Sequence, residues 1–168
     1  MRMSKTYFQE EQRPGKYVWI IFVFINIIFL IGVIKQIGLG RQFGNQPMND
    51  AGLLIVTILF FLLTVVLGIF TKLQTYIDIG GIYIRYLPFQ IKYKFIDWKS
   101  VERVNIRRYN PFTEYGGYGI KKSFKGTSYT TKGRVGLELQ LSNGKKILIG
   151  TLQPEYLTSI LLILGKIK

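Results

Sequence analysis

Two uninterrupted apolar blocks dominate the first 70 residues. Tyr17 to Ile34 reads YVWIIFVFINIIFLIGVI, 18 residues without a charge, in which Asn26 is the one polar side chain apart from the aromatic tips. Ala51 to Phe70 reads AGLLIVTILFFLLTVVLGIF, 20 residues with Thr57 and Thr64 as polar members. A helix that crosses the hydrocarbon core of a bilayer needs about 20 largely apolar residues, and both blocks meet that length. Neither has the one-sided polar stripe of a surface helix, and a chain of 168 residues has no core able to bury two helices that are apolar all round. The blocks are therefore predicted to form a transmembrane hairpin over residues 17–70, with spans at 17–34 and 51–70. The connection KQIGLGRQFGNQPMND, rich in Gly, Gln and Asn, forms its exposed turn.

A cleaved signal peptide is the competing reading of the first block. Its apolar run exceeds the usual ~7–15-residue core of such a peptide, and no small-x-small cleavage site follows, so retention is expected. Tyr17 and Trp19 sit at the entry of the span, where amphipathic rings prefer the headgroup level. Orientation follows from the basic residues beside the spans. Residues 1–16 hold four (Arg2, Lys5, Arg13, Lys16) and Lys72 follows the second span, against Lys35 and Arg41 between them. The positive-inside rule then places both termini in the cytoplasm.

After Phe70 the pattern changes to short runs of Ile, Tyr, Val and Phe broken by turn signals. Strands are predicted at 73–79, 82–87, 90–95, 101–108, 118–124, 135–141 and 146–149. The first three form a meander, and Asn143-Gly144 marks a hairpin between the last two. Pro154 begins a final helix carrying Leu157, Ile160, Leu161 and Leu164 at helical spacing. About seven antiparallel strands closed by one helix, over residues 71–168, is the element order of a pleckstrin-homology-like (PH-like) barrel.

The run YGGYGIKKSFKGTSYTTKGRVGLELQLSNGKKILIGTLQPEYL (Tyr115 to Leu157), preceded by Ile96 to Val101, resembles the bacterial PH-like membrane proteins in which two N-terminal spans precede a small β-rich domain. The Leu139 to Lys145 hairpin and Pro154 match that pattern. Gly117-Tyr118-Gly119-Ile120-Lys121 departs from it, with Tyr and Lys where the family pattern carries Trp and Arg. The resemblance implies an α+β membrane protein, a two-helix hairpin followed by a PH-like β-barrel capped by a C-terminal helix. It implies little about activity, because the family is largely of unknown function.

Composition sharpens the functional reading. The chain has no His and no Cys, which removes thiol nucleophiles, imidazole bases, Cys/His zinc sites and disulfides. Its carboxylates are scattered singly along the predicted strands, without the paired arrangement of acid/base catalysis. The Gly-rich loop Gly116, Gly117, Tyr118, Gly119 fits neither a P-loop nor a dinucleotide fingerprint, and it is read as a turn or a partner-contacting loop. A non-enzymatic protein without cofactor or metal is expected.

Charge is the more informative feature. Of the net +14, residues 71–168 supply most, with 17 basic against six acidic residues. The candidate contacts are Lys92 and Lys94 on one strand face, then Arg103, Arg107 and Arg108, then Lys121, Lys122 and Lys125. A basic domain tethered below an anionic leaflet gains about 1 kcal/mol per Lys or Arg near the surface. The expected function is a membrane-anchored binding or scaffolding module that meets anionic lipid headgroups or an acidic protein partner. The alternative is a structural subunit of a larger membrane complex. Nucleic acid is disfavoured: RRYNPFTEYGGYGIKKSF interleaves cations with stackable rings, but no nucleic-acid-binding signature accompanies it.

Overall fold

The computed structural model describes residues 6–167; Arg2, Lys5 and Lys168, counted above among the basic residues, lie outside them. The described residues divide into two compact units, residues 15–71 and residues 6–14 with 72–167.

The first unit is the helical hairpin. α1 (Lys16–Val33) runs on through a π-helical turn (Ile34–Gly38), and α2 (Asp50–Phe70) follows an irregular connection. Both helices are long and apolar enough to cross a membrane. The Asn49 side chain caps α2 by accepting from the Gly52 amide at 2.7 Å, and Asp50 lies in its positive first turn. Between the helices, Asn26 Nδ2 donates to Thr64 Oγ1 at 2.9 Å, while Thr57, the third polar side chain of the blocks, donates to the Leu53 carbonyl of its own helix at 2.7 Å. Gly68 admits the Trp19 ring to 3.7 Å of the position a Cβ would take. Only Gly32 and Leu53 are buried, which leaves nearly the whole apolar surface of the pair uncovered by protein.

The second unit is a two-sheet domain. Sheet one has the order β1-β2-β3-β4, from β1 (Phe8–Gln12), β2 (Lys72–Ile77), β3 (Gly81–Leu87) and β4 (Gln90–Asp97), all antiparallel. Sheet two has the order β5-β8-β9-β7-β6. Its strands are β5 (Val101–Arg108), β6 (Gly119–Ser123), β7 (Gly126–Thr130), β8 (Val135–Leu141) and β9 (Lys146–Gly150). A short helix, α3 (Pro111–Tyr115), follows β5, and α4 (Pro154–Ile163) ends the domain. The core alternates as period-2 strands require. Leu73, Ile77, Ile82 and Ile84 face it from sheet one, Leu137, Leu139, Ile147 and Ile149 from sheet two, and Leu157, Ile160 and Leu161 from α4.

Three expectations need correction. The described residues hold nine strands rather than about seven, the sheets do not close into a barrel, and the pairing is not wholly antiparallel, since β7 and β9 run parallel. One of the added strands comes from the N-terminal segment read above as a cytoplasmic lead-in. β1 pairs with β2 in the register Phe8↔Ile77 to Gln12↔Leu73. It is also stitched to the second sheet by buried polar groups. Glu10 accepts from Thr151 Oγ1 at 2.8 Å and from the Leu152 amide at 2.7 Å, while Gln12 donates to the Gly150 carbonyl at 2.7 Å and accepts from Thr131 at 3.0 Å. The helical hairpin is thus inserted between two neighbouring strands of one sheet.

Candidate functional site

The inward face of β4 turns from apolar to basic along its length. Ile96 belongs to the core, but Lys94, two residues earlier on the same face, extends over the Tyr129 ring of β7, 5.4 Å from its centroid and 3.3 Å from its hydroxyl. Across the opening, β6 places Lys122 opposite Thr127 on the face that carries Ile120 into the core. The β6–β7 turn adds Lys125, and the β8–β9 hairpin adds Lys145 and Lys146. Together these five lysines line an open groove of about 1220 Å³.

Carboxylates neutralise only part of this groove. Arg107 Nη2 reaches Glu138 at 2.6 Å and Glu114 at 2.9 Å, and Lys125 lies 3.6 Å from Glu114. Lys94, Lys122, Lys145 and Lys146 have no carboxylate within 4.0 Å among the described residues. Such an arrangement leaves four ammonium groups able to take an anion from solution.

The Arg107 cluster is structural in character. Burial works against the Arg107 charge, but its bonds to Glu138 and Glu114 overcome that and hold the guanidinium more firmly protonated than usual. Burial likewise raises the Glu114 carboxyl, yet the Arg107 contact and the Asn110 amide bring it below its ordinary value near 4.5. A depressed folded-state value contributes stability above the unfolded value that is lost as pH falls through the folded one. Denaturant unfolding of the full chain in mild detergent should therefore show stability falling below about pH 4.5, less steeply in Glu114→Gln. Identical acid limbs would contradict the assignment.

The residues singled out in the sequence scatter around this arrangement. Lys94, Lys122, Lys125 and Arg107 line the groove, whereas Lys92, Arg108 and Lys121 do not. Arg103 borders a separate hollow of about 700 Å³ with Glu102 and Lys166. The Gly-rich loop lies elsewhere too. Gly116 ends α3 in the left-handed region, φ 72°, and Tyr118 donates from its hydroxyl to the Gly133 carbonyl at 3.1 Å, so the loop serves as a turn from α3 into β6. Lys145 and Lys146 were missed, although they directly follow the Asn-Gly signal that marked their hairpin. No three His, Cys, Asp or Glu side chains converge as a metal site among the described residues.

Two apolar helices followed by two sheets, with a lysine-lined groove in the β-rich unit, define an α+β protein of the two-helix, two-sheet kind. The chain belongs to a family of unknown function, DUF6141, which it matches over residues 3–164. A comparison with curated proteins returns no match.

Proposed function

We propose that the protein is a membrane-anchored, non-catalytic binding module in which the helical hairpin spans the inner membrane and the groove takes the phosphate-bearing headgroups of anionic lipids. The observation that carries this reading is the set of four lysines lining one groove without carboxylate partners. The two-sheet unit with its C-terminal helix is read as PH-like, a reading supported by the way α4 delivers Leu157, Ile160 and Leu161 to the core shared by both sheets. Retention of the first helix is supported by β1, since cleavage after α1 would strip a strand from the sheet. The same pairing supports a topology in which the segments before α1 and after α2 share one side of the membrane, and the basic flanks favour the cytoplasm for that side.

Titration calorimetry on the full chain in a zwitterionic detergent tests the groove. Dihexanoyl phosphatidylglycerol should bind more tightly than dihexanoyl phosphatidylcholine, with an affinity that falls as salt rises. At about 1 kcal/mol per basic residue, the double variant Lys122→Gln/Lys146→Gln should lose roughly 30-fold in affinity. Equal binding of the two lipids would sink the headgroup reading and leave the complex-subunit reading in its place.

A further inference from the structure

The register of the first sheet gathers several features at one end. Gln12 pairs with Leu73, Lys72 with Leu87, and Tyr86 with Gln90, so the end of β1, the start of β2 and the β3–β4 turn are neighbours. Both chain connections to the apolar helices leave from this end. Three residues, 13–15, separate β1 from α1, and one, Thr71, separates α2 from β2. At no more than about 3.6 Å per step, the four steps from Gln12 to Lys16 and the two from Phe70 to Lys72 reach roughly 14 Å and 7 Å.

The turn at this end has an unusual composition. Two-residue connections between antiparallel strands favour Gly, Asn and Asp, but here the sequence is Pro88-Phe89. Phe89 is 68% exposed, with the Tyr86 ring on one side of it at a centroid distance of 6.2 Å, and Ile91, just beyond it, is 71% exposed. Exposed Lys92 follows, and Arg13 stands on the neighbouring connection. A large aromatic and a β-branched aliphatic side chain beside cations is the chemistry that settles at the boundary between headgroups and acyl chains.

We infer that the β3–β4 turn is a second membrane contact, in which Phe89 and Ile91 enter the interfacial layer of the bilayer that holds the helices while Lys92 meets its phosphates. The occupant of this apolar tip is lipid. The inference rests on reading the two helices as membrane spans. Its consequence is orientational. A domain held by two chain connections can still tilt, and a third contact at the turn fixes which way its faces point.

Because the chain contains no cysteine, single labels report without background. Phe89→Cys, Lys99→Cys and Ile58→Cys would each carry an environment-sensitive nitrobenzoxadiazole label in the full chain, reconstituted in vesicles of phosphatidylethanolamine and phosphatidylglycerol containing doxyl-labelled lipid. Lys99 is exposed at the far end of β4, about 26 Å away along an eight-residue strand. The expected result is strong quenching at Ile58, and at Phe89 at least twofold more quenching than at Lys99. Quenching at Ile58 with equal, weak quenching at Phe89 and Lys99 overturns the turn contact alone. Absence of quenching at Ile58 overturns the membrane reading on which it rests.

Discussion

Phe8→Ala is expected to cost about 3–5 kcal/mol of stability in the two-sheet unit. Phe8 is 1% exposed, belongs to the main core, and meets the Tyr156 ring of α4 at a centroid distance of 5.6 Å. Removing the ring leaves a cavity bounded by β2 and the C-terminal helix, elements that cannot relax inward without dragging a paired strand. The loss also unseats what lies further along β1. Glu10 and Gln12 make four hydrogen bonds toward sheet two from the same strand, so a shift of β1 toward the cavity would strain them. Guanidinium unfolding of the full chain in mild detergent, followed by the buried Trp98, measures the shift. Phe124→Ala is the matched control, since Phe124 is 91% exposed and should move the midpoint by no more than about 0.5 kcal/mol. A Phe8→Ala shift no larger than the control would mean that β1 is dispensable to the unit.

That strand also shows where sequence reasoning ran out. The helices were legible because an uncharged run of 18 or 20 residues has few competing explanations, and β8 was placed to the residue because Val135, Leu137, Leu139 and Leu141 alternate regularly; β5 was placed equally well even though its pattern breaks at a register shift between Val101 and Arg103. β1 hid because two of its three inward positions are Glu10 and Gln12, polar side chains whose partners lie 119 to 142 residues away. β7 hid for a related reason. GTSYT has one large apolar side chain, Tyr129, and its strand character comes from being flanked by β6 and β9. A parallel partner leaves no hairpin signal in the sequence.

The candidate site was legible to the same partial degree. Cations could be counted from the sequence, but their neutralisation could not. Arg107 looked like the centre of a basic cluster until the fold brought Glu114 and Glu138 to it. Lys122 and Lys146, 24 positions apart, became neighbours in one groove only through the β6–β7–β9 pairing. The functional reading moved accordingly, from clusters defined along the chain to four lysines defined by their lack of a carboxylate.

Gly126→Ala is expected to destabilise the unit by about 3 kcal/mol or more, and to remove the groove with it. Gly126 opens β7 at φ +122°, a region that an L side chain enters at about 1–3 kcal/mol. A Cβ there would also stand 2.3 Å from the Lys146 carbonyl oxygen, a backbone atom fixed in β9, so relief requires the two strands to part. Those strands hold two adjacent pairs of groove lysines in register: Lys122 and Lys125 on the β6–β7 side, Lys145 and Lys146 at the start of β9. Close backbone approach at Gly126 is therefore the point at which fold and site are joined. Gly144→Ala separates this effect from the general cost of a positive φ, because Gly144 has φ +77° but open space around its Cβ position. It should lose only about 1–2 kcal/mol and keep its preference for an anionic over a zwitterionic short-chain lipid. Gly126→Ala should lose both stability and preference. Equal midpoints for the two variants in guanidinium would show that β7 and β9 can separate without consequence, and the parallel pair would then not be what holds the lysines together.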